Sequence, residues 1–490
     1  MSNIPELGVG VVYTANFNTT LVKYLDAIDT IEVEPQILWQ LSEEEQTYQF
    51  HQNLLVPLRA YDKPKVFHGV GDPVGGSIRP TDKVINTLKK HIDLVQPVYF
   101  SEHLTFNKYR EGEEEITTSF LLPQIQNEAG ICTAVNAIDF YKKTLQLPFA
   151  FETGVNYFQP MAGEIPDGAF VRQVAERADC HILLDLHNIW ANQQNGRQSV
   201  EEFISQIPLD RVIEIHLAGG HYYKDYYLDA HHGVASEELM ELSKKIIRTL
   251  PNLKLITFEI MWDNIEQTPD KDLARQFELM HRYWDLRGKD HKISPVQPQQ
   301  QPAVKASAEI NAISAEEWEQ VVGRRVLEKP VDSELLKADK GIEVIQYSVF
   351  TIRASGVVAS VRLSCRIIRL NIGEEAFGTL LRAFLKAYPP KLFPCEAAFQ
   401  FEEFLKGQNL DLKYLDKILE FEIAVLRTMI DHQQREVVFP YDPFVVMSTL
   451  REFKLPQDVE EGEEEYAILV EPPEQPVDLE LLTVNTEYHV

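Results

Sequence analysis

The most constraining feature of the sequence is a repeated alternation of short apolar, β-rich runs with longer amphipathic or polar segments. About eight runs occur at intervals of roughly thirty residues, which is typical of a (β/α)8 TIM-like barrel. They are Leu7–Tyr13, Thr30–Pro35, Lys65–Val70, Pro97–Glu102, Pro148–Glu152, His181–His187, Val212–Leu217 and Leu253–Ile260. Nearly continuous apolar strands also fit a parallel sheet that is buried on both faces. The pattern predicts a barrel, and a doubly wound open sheet with the same alternation remains the alternative.

The chain of 490 residues is longer than one barrel requires, and its composition changes after residue 286. Residues 287–308 carry prolines among glutamines. Such a composition cannot bury apolar area and predicts an extended linker. We therefore expect a barrel domain over residues 1–286 and a second, mainly helical domain over residues 309–490.

The net charge limits the classes of partner. Acidic residues outnumber basic residues by 75 to 47, which gives a formal charge of -28. Because so negative a surface repels phosphate groups, we expect neither nucleic acid nor an anionic membrane as a partner. No stretch reaches the ~20 apolar residues that span a bilayer. The four cysteines are scattered and form no CxxC pair. These features predict a cytoplasmic protein with reduced thiols.

Side chains that can bind metal ions stand at the ends of six consecutive apolar runs. They are His68, His103, Glu152, Asp185, His187, His216 and Glu259, and the loop after the seventh run adds His221, Asp229, His231 and His232. In a barrel these strand ends would meet at one mouth. Imidazole and carboxylate without thiolate suit iron, manganese or zinc, and so many groups predict a bridged cluster of two or three ions. Ligand type alone leaves both di-zinc hydrolysis and iron–oxygen chemistry open.

The segments around these residues resemble the DUF692 proteins. That family comprises multinuclear non-haem iron-dependent oxidative enzymes and includes the methanobactin biosynthesis oxidase. The similar segments are HGVGDPVG (68–75), FSEHLTF (100–106), FETGVNY (151–157), LLDLHNIW (183–190), EIHLAGG (214–220), LDAHHG (228–233) and FEIMWDN (258–264). The resemblance covers roughly residues 6–285, and its specificity lies in the joint match.

The resemblance implies a TIM-like barrel that holds two or three iron ions of mixed Fe(II)/Fe(III) state. It also implies that O2 is used to modify a ribosomally synthesised precursor peptide, most often at cysteine. The ligands that it implies are His68, His103, Glu152, Asp185, His216, Asp229, His231 and Glu259. His187 stands where the family commonly has asparagine, and we keep it as a ninth candidate. His221 is displaced by one residue from the family pattern and is not expected to bind.

Three further polar residues near the predicted mouth are candidates for the chemistry itself. They are Asn188, Tyr157 and Asp263. Each could position substrate or relay protons. The alternative is that each supports a metal ligand or caps a loop, and hydrogen bonds to ligand histidines are expected in either case.

The C-terminal part resembles the DUF2063 proteins, on residues 371–390 and 415–425. That family implies a helper domain, here fused in cis, which recognises the precursor peptide. The residues themselves predict an amphipathic helix over 373–388. The runs Tyr466–Val470 and Leu479–Val484 predict a small β subdomain. A free strand edge there could take up an extended peptide by strand addition.

Two other functions stay open on the residues alone. One is a divalent-metal isomerase or hydrolase on the same barrel, as in the xylose isomerase and endonuclease IV groups. The acidic charge weighs against the nuclease version, because a DNA-binding surface is expected to be basic. The other is a non-catalytic metal-binding scaffold that holds a peptide or partner protein.

Overall fold

The eight predicted strands form a closed parallel barrel in the computed structural model, so the prediction of a barrel is confirmed and the open sheet is wrong. The structure describes residues 4–290 apart from residue 16, and residues 310–472 apart from residues 409, 458 and 460–464. Only the backbone is described at residues 262 and 263. The predicted linker from residue 291 onward, the run Leu479–Val484 and the side chain of Asp263 lie outside the described residues.

The described strands are numbered β1 to β16 in chain order. Those of the barrel are β1 (Gly8–Val12), β2 (Thr30–Val33), β5 (Lys65–Gly69), β6 (Phe100–His103), β9 (Phe149–Glu152), β10 (His181–Asp185), β11 (Val212–Leu217) and β14 (Leu255–Phe258). The others form two-stranded pairs: β3 (Trp39–Gln40) with β4 (Gln49–Phe50), β7 (Phe106–Glu111) with β8 (Glu114–Leu122), β12 (His221–Tyr223) with β13 (Tyr226–Leu228), and β15 (Arg435–Phe439) with β16 (Tyr466–Val470). Neighbouring barrel strands follow one another in sequence, and β14 closes the barrel against β1.

Helices occupy most of the intervals between barrel strands and most of the C-terminal part. In the first part they are α1 (Gln52–Ala60), α2 (Asp82–Val95), α3 (Glu128–Leu145), α4 (Asp167–Ala178), α5 (Leu186–Gln194), α6 (Val200–Gln206), α7 (Glu237–Ile247), α8 (Trp262–Ile265) and α9 (Asp270–Trp284). After residue 309 they are α10 (Ala315–Val326), α11 (Gly341–Ser360), α12 (Arg362–Ile372), α13 (Glu374–Ala387), α14 (Pro394–Lys406), α15 (Leu415–Asp431) and α16 (Pro443–Arg451). Short 3-10 helices cover Leu21–Ala27, Pro35–Leu38, Leu209–Arg211 and Ile310–Ala312.

The chain divides into two compact units. The first, the barrel unit, comprises Met1–Trp39 and Asn53–Tyr347, and the second, the helical unit, comprises Gln40–Gln52 and Ser348–Val490. Residues 310–347 therefore belong with the barrel, although they follow the predicted linker. Among the described helices none is long and apolar enough by itself to cross a membrane, and α11 with α12 would pass only as a pair bent by 109°.

The interior of the barrel is layered along its axis. An apolar layer, to which Leu7, Val66, Leu183 and Leu255 belong, lies near the N-terminal ends of the strands. Polar side chains fill the opposite end, where Glu152 and Asp185 close β9 and β10. Apolar packing thus stabilises one end of the barrel and leaves the other for the site, as is usual in barrels of this type.

The helical unit has an apolar core of its own. The predicted amphipathic helix is α13, and its Phe377, Leu381 and Phe384 are buried in that core. The predicted run Tyr466–Val470 is strand β16, which pairs antiparallel with β15.

Candidate metal centre

All nine predicted metal ligands lie at the C-terminal end of the barrel. His68, His103, Glu152, Asp185 and His216 are on β5, β6, β9, β10 and β11, His187 is in the first turn of α5, Asp229 and His231 follow β13, and Glu259 follows β14. The strand register sets His103 beside Glu152 and Asp185 beside His216. Parallel strands with this register bring together side chains that are far apart in sequence.

Glu152 is the centre of a first group with two histidines. Its Oε2 atom lies 2.9 Å from Nε2 of His68 and 2.8 Å from Nε2 of His103. All three residues are buried, and their ligand atoms lie within 4.8 Å of one another. This spacing suits a single metal ion bound by three side chains.

The same carboxylate belongs to a second group. Glu152, Asp185, His216 and Glu259 also have ligand atoms within 4.8 Å of one another. Nδ1 of His216 lies 3.0 Å from Oε2 of Glu259 and 3.9 Å from Oε1 of Glu152. Glu152 therefore presents one oxygen to each group, which is the arrangement of a bridging carboxylate.

A third group shares Glu259 with the second. Nε2 of His231 lies 2.9 Å from Oδ1 of Asp229 and 3.3 Å from Oε2 of Glu259. His187 reaches this group from α5, with Nε2 3.7 Å from the same Asp229 oxygen. His231 has a left-handed backbone (φ 46°), a conformation that is uncommon outside glycine and concentrates at functional sites.

Many of these atoms are buried without a hydrogen-bond partner. They are Nε2 of His68, His187 and His231, Oε2 of Glu152, Oδ2 of Asp185 and Oδ1 of Asp229. Several lie about 3 Å from each other yet lack hydrogen-bond geometry. Buried polar atoms in native proteins are normally satisfied, and a bound cation would satisfy all of these at once. The residues therefore fit a multinuclear metal group.

In three of the histidines, Nδ1 makes a contact that fixes the orientation of the ring. Ser101 donates its hydroxyl to the carbonyl of Phe67 at 3.2 Å, so it accepts from Nδ1 of His68 at 2.9 Å. Nδ1 of His103 lies 3.0 Å from the carbonyl of Gly69, and Nδ1 of His187 lies 3.0 Å from that of Ala218. Each contact leaves the Nε2 lone pair directed into the site.

His216 is bound differently from the other histidines. Its Nε2 lies 3.0 Å from Oε2 of Glu32, so Nδ1 is the nitrogen that faces the centre. Glu214 is the neighbour of this pair, with Oε1 3.6 Å from the same nitrogen, and it accepts hydrogen bonds from Tyr99 and Thr257. A carboxylate behind a histidine increases the basicity of the nitrogen that binds the metal.

Carboxylates and imidazoles that lie close together in the site shift one another's pKa values. Burial alone would raise the pKa of Glu152, but His103 and His68 outweigh it and hold that pKa well below its usual range. Burial would likewise lower the pKa of His216, but Glu32 and Glu259 raise it well above its ordinary value. Burial raises the pKa of Asp185, and repulsion from Glu152 adds to the increase.

The basic side chains that face the carboxylates of the site are histidines. Within the described part of the chain, no lysine or arginine is ion-paired with Glu152, Asp185, Asp229 or Glu259. Four buried or half-buried carboxylates at this spacing repel one another strongly. Metal cations would neutralise them.

Two of the three predicted non-ligand residues contact the proposed ligands. Asn188 donates to Oε1 of Glu152 and to the carbonyl of Thr153, both at 3.3 Å. The hydroxyl of buried Tyr157 accepts from the backbone N–H of Asp229 at 3.0 Å. These contacts orient ligand-bearing residues, whereas the third candidate, Asp263, lies outside the described side chains.

Sequence reasoning missed three acidic residues: Glu32 on β2, Glu214 on β11 and Glu34 just after β2. Glu32 and Glu214 are fully buried within their strands, where a polar side chain is unexpected. Glu34 follows the end of β2, and burial and Glu259 raise its pKa, while His68 lowers it. Extending the strand-end rule to the second apolar run would have found Glu34. Among the histidines weighed in the loop, His221 and His232 are exposed.

A protein-family profile covers the barrel. The profile described as RiPP precursor modification enzyme MbnB/TglH/ChrH matches residues 8–278, which is more than half of the chain. The chain belongs to this family. Its members are described as enzymes that act on the precursors of ribosomally synthesised and post-translationally modified peptides. The resemblance of the barrel to the DUF692 proteins is thereby confirmed.

Similar curated proteins include several UPF0276 proteins. UPF0276 proteins from Psychromonas ingrahamii and Shewanella sediminis are 29% and 24% identical over 156 and 260 residues. These matches cover 32% and 53% of this chain. They cover 54% and 87% of the relatives, so the chain spans about half the length of the first.

Solved structures with a similar chain path include sugar epimerases. D-psicose 3-epimerase with D-tagatose from Clostridium cellulolyticum H10 is 12% identical, with a TM-score of 0.37 over 57% of this chain and 99% of that chain. The IOLI protein with a binding zinc atom is 9% identical, with a TM-score of 0.37 over 57% of this chain and 98% of that chain.

Proposed function

We propose that this protein is an O2-dependent multinuclear iron enzyme that modifies a ribosomally synthesised precursor peptide at cysteine. The observation that carries the proposal is the convergence of nine imidazole and carboxylate side chains, several with buried atoms that lack a hydrogen-bond partner. Membership of a family of precursor-modifying enzymes supplies the class of substrate.

The composition of the site favours iron over softer alternatives. The free cysteines are Cys132, Cys180, Cys365 and Cys395, and none of them belongs to the three groups. Mixed imidazole and carboxylate ligation suits Fe, Mn and Zn, whereas thiolate-rich sites select Cu(I) or structural zinc. Two carboxylates that are each shared by two groups, Glu152 and Glu259, support two or three ions.

The three groups differ in charge, which supports ions of different valence. The group of His68, His103 and Glu152 offers two imidazoles and one shared carboxylate. The group around His216 offers three carboxylates, and Glu32 stands behind its only imidazole. More negative charge stabilises a higher oxidation state, so we expect Fe(III) in the second group and Fe(II) in the first.

Iron bound in these groups would supply a Lewis-acidic site for a substrate thiolate and the redox chemistry needed to use O2. The protein's own contribution is orientation and charge. Asn188 holds one oxygen of Glu152, and Tyr157 holds the backbone of Asp229. Because no lysine or arginine among the described residues is paired with these carboxylates, bound metal ions would be the cations that attract an anionic substrate group.

The helical unit is proposed to recognise the peptide, as a helper domain fused in cis. Among the described strands, β16 pairs only with β15, so a two-stranded sheet with open edges is available for strand addition. Leu469 on β16 is 49% exposed and Phe444 on α16 is 67% exposed, which provides apolar surface for side chains of a bound peptide.

The test begins with the full chain purified anaerobically. Elemental analysis should find two or three iron ions per chain, and Mössbauer spectra should contain both ferrous and ferric signals. O2 consumption should depend on a cysteine-containing precursor and disappear when that cysteine is replaced by serine. His216→Ala should lose iron and activity, whereas the exposed His221→Ala should retain both.

Other outcomes separate the competing functions. Zinc alone, with no O2 uptake on any cysteine-containing peptide, would overturn the oxidase. Turnover with Mg²⁺ or Mn²⁺ without O2 would instead favour an isomerase or hydrolase. Peptide binding that survives His216→Ala, with no product from the wild type, would favour a non-catalytic scaffold.

A further inference from the structure

The residues that follow the linker are built into the barrel unit, close to the loops that carry the candidate ligands. We call residues 310–347 the post-linker segment; it contains α10 and the first turns of α11. Its Trp318 is buried, donates from Nε1 to the carbonyl of Pro123 at 2.9 Å, and packs edge-on against Phe158. Asn127 donates to the carbonyls of Ile310 and Ile313 at 2.8 and 2.9 Å.

The same segment is bonded to the loop that follows β5. The carboxylate of Glu319 accepts from the backbone N–H of Ser77 at 2.7 Å and from its hydroxyl at 2.5 Å. Glu319 is buried, so these two hydrogen bonds are shielded from water. The loop that begins after Gly69 and runs through Ser77 is therefore fixed at one point by the post-linker segment.

A second set of contacts reaches the loop that follows β9. Oδ2 of Asp339 accepts from the backbone N–H of Gln159 at 2.9 Å. Gly341 lies so close to the carbonyl of Tyr157 that a Cβ there would be 2.3 Å from its oxygen. Only glycine permits this approach, and it brings the start of α11 directly against Tyr157.

A third set reaches the hairpin of β12 and β13. The rings of Tyr347 and Tyr223 stack with centroids 3.9 Å apart and an interplanar angle of 8°. Lys224 at the tip of the hairpin pairs with Glu343 at 3.3 Å. Asp229 follows β13 directly, so the post-linker segment contacts the hairpin that leads into this candidate ligand.

The second and third sets meet at Asp229. The Tyr157 hydroxyl accepts from the backbone N–H of Asp229. The Tyr157 ring also packs edge-on against Tyr226 on β13, with ring centroids 6.4 Å apart. We propose that the post-linker segment positions Asp229, through the Tyr157 loop and the β12–β13 hairpin, and so completes the metal position that Asp229 shares with His187 and His231. The inference rests on the proposed metal centre and extends it to residues beyond the linker.

The post-linker segment should therefore affect the positions of the ligands in the third group more than those in the first group. His68 and His103 lie on strands whose neighbours hold them by the barrel's own hydrogen bonds. Asp229 and His231 lie in a loop, and a loop residue depends on whatever packs against it. Weakening the segment should therefore remove one kind of bound ion before the others.

The experiment uses the full chain with Asp339→Ala, Asp339→Asn and Tyr347→Ala, each titrated anaerobically with Fe(II) and, separately, with Co(II). Asp339→Ala removes the acceptors for the backbone N–H groups of Gln159 and Gly341, and Tyr347→Ala removes the ring stack. Both should lower the affinity of the weakest-bound ion by roughly 10- to 100-fold, the usual cost of removing a group that orients a ligand. The Co(II) absorption bands should lose the contribution of that ion, while the tighter ions keep their affinity.

Two variants control this result. Asp339→Asn keeps one of the two acceptor oxygens, which serve the backbone N–H groups of Gln159 and Gly341, and should give an affinity between those of Asp339→Ala and the wild type. Asp332→Ala removes an exposed carboxylate from the same segment and should change nothing. Unchanged affinity and spectra in both Asp339→Ala and Tyr347→Ala would overturn the inference while leaving the metal centre intact. A wild-type chain that binds neither metal would overturn the metal centre, and the inference with it.

Discussion

The barrel unit and the helical unit bury polar side chains to very different extents. Among the described residues of the helical unit, the buried polar side chains are Ser42, Ser364 and Thr428, and none of them is ionisable. The barrel unit buries acidic residues and histidines at one end, including Glu32, Glu152 and Asp185. The two units share one chain but are stabilised by different means.

The residues that stabilise the helical unit therefore differ in kind from the residues that are candidates for chemistry in the barrel unit. The core of the helical unit follows from apolar burial, which is favourable in any aqueous medium. Buried carboxylates oppose folding unless a cation or proton compensates them. Residues that a protein retains at such a cost are candidates for function, so the mouth of the barrel is the candidate functional site. The helical unit can contribute to the proposed peptide recognition through its surface.

The sharpest test of this contrast is Glu152→Ala, because Glu152 belongs to two of the three groups. We expect metal to be lost from both groups. Turnover should fall by more than the roughly 10- to 100-fold that removal of an outer hydrogen-bond partner costs. Metal content by elemental analysis and turnover of a cysteine-containing precursor measure the effect. The matched control is Glu201→Ala, on the exposed face of α6, which should keep wild-type metal content. Wild-type metal content in Glu152→Ala would contradict the assignment of metal binding to the buried carboxylates of the barrel unit.

The reverse experiment is Phe401→Ala in the helical unit. Phe401 is fully buried and packs against Phe384 at 5.0 Å between ring centroids. Removal of its ring should lower the free energy of unfolding by roughly 3–5 kcal/mol, measured by urea denaturation, without changing the metal content. The 67% exposed Phe444→Ala should change stability by less than about 0.5 kcal/mol. Loss of metal in folded Phe401→Ala would contradict the separation of roles.

Within the barrel, Glu32→Gln tests whether the buried carboxylate behind His216 serves the metal. The substitution keeps the shape of the side chain but removes the charge that polarises the Nε2–H of His216. Metal affinity should fall by roughly 10- to 100-fold in anaerobic titrations. Ser101→Ala removes a neutral partner from His68 and should cost less. Equal effects would show that the carboxylate contributes geometry alone.

The sequence predicted the barrel because the alternation of apolar run and amphipathic segment occurs eight times. An error at one strand does not change the predicted fold. It also predicted that His68, Glu152 and Asp185 would converge, since parallel strands all present their C-terminal ends to one mouth. His187 differs slightly from expectation: β10 ends at Asp185, whose side chain caps α5, so His187 lies in the first turn of that helix.

What the sequence could not provide depends on contacts between distant residues. Glu32 lies inside an apolar run, and only the closed barrel brings it within 3.0 Å of His216 on β11. The packing of residues 310–347 against the barrel was likewise not apparent, because the Pro/Gln-rich linker precedes them. Composition marks where a chain becomes extended, but it does not tell which unit the following residues join.

The smallest expected effect compares two glycines, one in each unit. A Cβ on Gly220 would lie 2.6 Å from Cε1 of His187 and equally close to the carbonyl of Leu228, so Gly220→Ala must displace the imidazole or the backbone. Overpacking of this kind costs about 1–3 kcal/mol, and displacement of His187 should weaken the third metal position.

Gly378 in α13 is the matched control for Gly220. A Cβ there meets no atom within 4 Å, and alanine is the better helix former. Gly378→Ala should therefore raise the free energy of unfolding by about 0.5–1 kcal/mol and leave metal binding unchanged. Thermal unfolding and anaerobic metal titration of both variants measure the difference. If Gly220→Ala binds metal as tightly as Gly378→Ala, the space that Gly220 leaves beside the His187 imidazole is not needed for metal binding.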